Sequence, residues 1–212
     1  MTRTPDILRR FRRDEEGTTL VELAIVIPLF LLIFFALIDF GRMGAEYVMA
    51  DKAMQLASRL AVVRPPACPG VPNSYSRGPV PPGSTPPRFG TSCAAGGSIC
   101  TNPGPISCTG VAGNPTSDEI WTAISPLMPS GSSVGNLWFS YDYDPNLGFL
   151  GGPYVPVVTV EIRNLNFQFV TPLGGLAALA TGGTGTGPAA SLPFPAMSTS
   201  LPGEDLALGE NG

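Results

Sequence analysis

The 212-residue chain contains no histidine. That removes the usual general base at neutral pH and the commonest metal ligand, and no Cys-x-x-Cys spacing takes its place. Charge is also scarce, at 13% of residues. Beyond Pro65 three arginines (Arg77, Arg88 and Arg163) face eight acids, which leaves neither a basic footprint for nucleic acid nor a polybasic lipid patch. Gly131-Ser132-Ser133-Val134-Gly135 has the spacing of a nucleophile elbow but no base to serve it, and reads as a turn. The glycines of Gly182–Gly187 precede no Lys-Ser or Lys-Thr and make no phosphate loop. Asp142 and Asp144 lack further oxygen ligands nearby and read as a solvated strand end rather than a calcium pair. The expectation is a chain with no catalytic residues, no metal and no cofactor.

What the sequence does contain is one long apolar run. From Leu23 to Ile38 it is uninterrupted by charge, and a helix from Thr18 to Ile38 would rise about 31 Å, matching a hydrocarbon core of roughly 30 Å. A backbone in lipid must satisfy its own peptide groups, so such a segment is helical. Five of the twelve basic residues (Arg3, Arg9, Arg10, Arg12 and Arg13) precede it, which keeps that end in the cytoplasm and sends the chain after Arg42 outside. The run exceeds the 7 to 15 residues of a signal-peptide core and ends in Asp39-Phe40-Gly41-Arg42 without a small-residue cleavage pattern. Pro28 predicts a kink. Glu22 places a carboxylate among apolar residues, a cost of roughly 2.5 to 3.5 kcal/mol at mid-bilayer and less near an interface, and marks a functional position.

The divisions follow from composition. Residues 1–17 form a cytoplasmic basic leader, 18–40 the transmembrane helix and 41–64 its amphipathic extension, with Met43, Tyr47, Ala50, Met54, Ala57 and Ala61 as one stripe, stopped by Pro65 and Pro66. Residues 65–115 hold twelve prolines and all four cysteines (Cys68, Cys93, Cys100 and Cys108), and read as an irregular loop held by two disulfides of undetermined pairing. Within 116–201 a capping pattern, Thr116 with Glu119, starts a short helix that runs to Met128. Strands are expected at Leu137–Tyr143, at Val158–Ile162 and, after a change of phase at Arg163-Asn164, through Leu165, Phe167 and Phe169. An edge strand at Leu192–Ser200 follows a small-residue loop, and 202–212 reads as a flexible acidic tail. The class is α+β: a long helix, half in membrane, packed outside on a small antiparallel sheet.

At Glu15-Glu16-Gly17-Thr18-Thr19-Leu20-Val21-Glu22 a basic leader ends in glycine, with glutamate five residues on, running into the apolar helix. This resembles a type IV prepilin processing site. With Pro28, the Asp39-Phe40-Gly41-Arg42 exit and the Thr199–Glu204 ending, it more specifically resembles the TadE-like pseudopilins of the bacterial tight-adherence (Flp pilus) system. The resemblance implies cleavage after Gly17 by a membrane prepilin peptidase. Thr18 would become the first mature residue and Glu22 the fifth, paired with the new α-ammonium of an adjacent subunit. It also implies pilin or pseudopilin subunits, an inner-membrane assembly platform and lipid as partners. Thr18 stands where major pilins commonly have phenylalanine.

Overall fold

The structure is a computed structural model that describes residues 16–97, 99–169 and 191–207, with side chains on the first helix described from Leu20 onward. Most of the basic leader and the small-residue loop after Gly174 lie outside the described residues. Helix α1, Glu16–Ala61, is a single 46-residue element that runs through Pro28 without a break. The chain divides into two compact units, Met1–Gly44 with Gln168–Ser191, and Ala45–Phe167 with Leu192–Gly212.

In the first unit the large apolar side chains from Leu20 to Ile38 are exposed along the helix, Leu20 at 69% and Leu37 at 68%. This helix is long and apolar enough to cross a membrane. A surface of that kind is stable where the solvent is itself apolar.

The second unit is the α+β part. Its helix residues Ala50, Ala53, Met54, Ala57, Ser58 and Ala61 are fully buried. They recur at three and four residues, and all but Met54 are small, so the backbone itself can approach its neighbours. Tyr47, expected on this stripe, is 48% exposed and packs its ring 6.5 Å from Phe194. The buried stripe begins one turn later, at Ala50.

Four antiparallel strands form the sheet in the order β1-β2-β3-β6: Ile106–Thr109, Leu137–Asp142, Val157–Ile162 and Met197–Pro202. Cross-strand partners put Phe139 beside Cys108 and Val160, and Ile162 beside Met197, so one face is apolar. Leu137, Phe139, Tyr141, Val158 and Val160 on that face are fully buried. The other face carries Ser140, Thr159, Glu161 and Ser200, with the Arg163 guanidinium 4.3 Å over the ring of Trp138 and a Thr159–Ser200 hydrogen bond of 2.8 Å. The change of phase falls at Asn164, whose φ of 56° turns the chain before β4 (Asn166–Gln168), which pairs with β5 (Ser191–Pro193).

Three expectations change. The short helix, α2, is Pro115–Ile124, and its N-cap is Asn114, whose side chain accepts from the Ser117 amide, with Pro115 in the first turn. Proline suits that position because its missing N–H would be unsatisfied there anyway. Thr116 instead donates to the Pro65 carbonyl at 2.7 Å, and Glu119 takes Arg64 in a two-bond ion pair at 2.8 Å, which tie the exit of α1 to α2. The expected edge strand is two, β5 and β6, in different sheets, separated by Phe194, Pro195 and Ala196. Proline at 193 and 195 cannot donate to a continuous ladder. The acidic tail is anchored at its start: the Gly203 amide donates to Pro156 O, and the Glu204 and Asp205 amides both donate to Val62 O at 2.9 and 3.1 Å.

Residues 65–115 are held by Cys68–Cys108, which joins the chain after α1 to strand β1, and by Cys93–Cys100. A small core forms around the second bridge from Tyr75, Leu150 and Tyr154. Gly148 is obligatory there, since a Cβ would lie 2.0 Å from the Tyr75 ring. Tyr75 accepts from the Val155 amide at 3.3 Å and donates to its carbonyl at 2.9 Å.

Closing a longer loop restrains the unfolded chain more, so serine at Cys68 and Cys108, 40 residues apart, is expected to cost about 4 kcal/mol, against about 2 kcal/mol at Cys93 and Cys100, 7 apart. Urea denaturation of the micelle-bound chain, followed by tryptophan fluorescence, checks the order; equal losses would refute it. A second prediction concerns alkaline pH. The fully buried Tyr141 hydroxyl accepts from the Ala67 amide at 2.9 Å, and burial pushes its pKa up to about 12. Below about pH 10 the phenol is neutral folded or unfolded; between about 10 and 12 only the unfolded phenol ionises, and roughly 2 to 3 kcal/mol of stability is lost. Tyr154, also pushed to about 12 by burial, acts in the same window. Absorbance at 295 nm recorded with circular dichroism should show phenol ionisation coinciding with unfolding, and Tyr141→Phe should make the loss shallower.

Candidate functional site

The segment that could carry a function lies at the start of α1. Gly17 and Thr18 fall in the first turn of the helix. The first amides of a helix have no intrahelical acceptor, and glycine is a poor helix residue, so this turn is the easiest part of α1 to open. Glu22 follows little more than one turn later and is exposed, flanked by Val21 at 61% and Leu23 at 52%. Among the described residues it has no ion-pair partner. A carboxylate on an apolar, outward-facing helix surface is a costly placement.

The other end of the apolar run is built differently. Asp39 is buried, at 1% exposure, and lies 3.8 Å from the Arg42 guanidinium one turn on. Arg42 also donates to the carbonyl of Gln168, and Phe40 meets Phe169 edge to face with ring centroids 6.3 Å apart. The Asp39-Phe40-Gly41-Arg42 exit is thus a junction between the helix and Gln168, the last residue of β4, with Phe169 after it. Gly41 has open space around it, with nothing within 4 Å of where a Cβ would stand. Arg42 and Asp39 sit in one place; Glu22, more than four turns earlier on α1, does not join them.

The remaining sequence candidates are structural. Ser133 of the Gly131–Gly135 pattern bonds Asn136, its amide donating to Oδ1 at 2.8 Å, and the segment is a turn. Asp142 accepts from Ser140 at 2.9 Å and Asp144 from the Asn146 amide at 2.9 Å, each satisfied locally. Among the described residues, no three acidic or cysteine side chains gather as a metal site. All four cysteines are consumed in the two disulfides. Sequence reasoning missed the contribution of residues 168 and 169 to the exit junction; their separation of 126 residues from Arg42 leaves no local signal.

Neither a curated protein nor a solved structure matches the chain. A family model does: the one described as TadE-like protein matches residues 17–59, starting on Gly17 and taking in Glu22, Asp39 to Arg42 and most of the buried stripe. Over that segment, which includes nearly all of helix α1, the chain is similar to the TadE-like family.

Proposed function

We propose that this chain is a minor pseudopilin-type subunit, structural rather than catalytic, in the assembly of a bacterial tight-adherence (Flp-type) pilus. A prepilin peptidase at the cytoplasmic face of the inner membrane cleaves after Gly17, and the external unit lies beyond the membrane. The carrying observation is that the family match opens at residue 17, where a basic leader gives way to the apolar helix. The exposure of Glu22 supports the second step. Cleavage creates an α-ammonium on Thr18, and in lipid that cation and the Glu22 carboxylate of an adjacent subunit each recover part of their desolvation cost by pairing. Between parallel helices such a pair sets the register at which subunits stack. The apolar surface from Leu20 to Ile38 holds the subunit in the membrane until it is taken up.

The first test is the intact mass of the protein purified from its own membranes, expected to correspond to a chain beginning at Thr18. A chain that retains residues 1–17 would instead favour a permanently anchored envelope protein whose external unit binds a partner. The second test is Glu22→Ala, expected to leave membrane insertion unchanged and to abolish incorporation into pili. Normal piliation in that variant would remove Glu22 from the docking role.

A further inference from the structure

The external unit has an exposed aromatic knob and, beside it, a cavity of complementary chemistry. Phe89 is 74% exposed. Its ring lies directly on the backbone of Gly151, where φ is 85° and a Cβ would stand 2.5 Å from the ring, while the Arg77 guanidinium covers it from 5.2 Å. The ring is thus placed by Gly151 and Arg77 while most of its apolar surface faces water, surface that a partner could bury. Charge is concentrated at the same place. Arg64 and Arg163 are neutralised by Glu119 and Glu161, whereas Arg77 and Arg88, one next to Phe89 in sequence and one stacked on it, have no ion-pair partner among the described residues.

The cavity, of about 210 Å³, is lined by Pro66, Pro72, Pro153, Tyr154 and Leu206, with the exposed Glu204 at its rim. It is larger than the roughly 150 Å³ that accommodates a benzene ring. Proline rings present C–H groups to an aromatic face, and a carboxylate at the rim suits a guanidinium that arrives with the ring. Pro153 is two residues from Gly151, so knob and cavity lie within about 7 Å of backbone of each other. A knob and a socket this close along the backbone can be satisfied twice by a two-fold axis.

We propose that this surface pairs two copies of the chain, Phe89 of each entering the proline-lined cavity of the other, with Arg77 and Arg88 facing Glu204. The pairing uses neither Gly17 nor Glu22 and stands apart from processing. It joins external units, leaving the helix surface from Leu20 to Ile38 free for other contacts.

The test places the photoreactive phenylalanine analogue p-benzoylphenylalanine at position 89 of the full chain. Unlabelled and ¹⁵N-labelled chains are mixed before reconstitution into phospholipid vesicles, and cross-linked peptides are read by mass spectrometry. Mixed-isotope cross-links to residues 66–73, 153–155 or 204–207 are expected. Reversing Arg77 and Arg88 to glutamate should lower their yield at least about fivefold, and Glu204→Arg in that background should restore it. Cross-links to lipid alone, to other residues of the second copy, or only within single chains would overturn the pairing, as would a yield indifferent to the charge reversal. Circular dichroism of each variant confirms that the fold is intact.

Discussion

Peptide groups that enter hydrocarbon find no partner there, and everything else in this chain is arranged around that constraint. It requires the apolar run to be helical and makes any interruption expensive, so Pro28 is absorbed within α1 rather than ending it. Once begun, the helix continues beyond the apolar run, because nothing between Asp39 and Ala61 stops it until Pro65 and Pro66 approach. The same element therefore changes its surroundings along its length, from outward-facing leucine and phenylalanine to a stripe of buried alanine. Its chemistry changes with them. Large side chains suit contact with an apolar solvent, while small ones let the helix close in on the rest of the second unit.

How much of this could be read beforehand depended on the range of the interaction involved. The membrane run, the strands Leu137–Asp142 and Val157–Ile162 and the phase change at Asn164 were visible because periodicity is a local property. The cap of α2 was misplaced by two residues because Thr116 and Glu119 fit a capping box; the structure uses them on Pro65 and Arg64 instead. Strand β1 passed unseen within the irregular loop, since four residues, Ile106–Thr109, are too few to display a period and their partners lie about thirty residues on. The interlocking of Tyr75 with Gly148 and of Phe89 with Gly151 likewise joins residues more than sixty apart. Composition identified that region as loop but could not express its order.

The candidate site was legible in a different sense. Gly17 and Glu22 stand out because a glycine beside a basic leader and a carboxylate in an apolar helix each violate what the helix alone would prefer. The cost of Glu22 is visible in one chain, and among the described residues no cation of that chain offsets it. Asp39 and Arg42, by contrast, are answered within the chain, by each other and by Gln168. Two charged positions at the two ends of one apolar run thus have different logic, one turned outward and one internal.

The Val62 carbonyl, just past the end of α1, accepts the amides of both Glu204 and Asp205. Val62 is synthesised about 140 residues before its partners, so these two bonds cannot form until nearly the whole chain has been made. Strand β6, which immediately precedes those two residues, is also the last strand of its sheet to be synthesised. The second unit consequently cannot complete its sheet while the ribosome is still making its middle. The Cys68–Cys108 bridge involves neither late segment, so the tie between the end of α1 and strand β1 can form before the final strand is available.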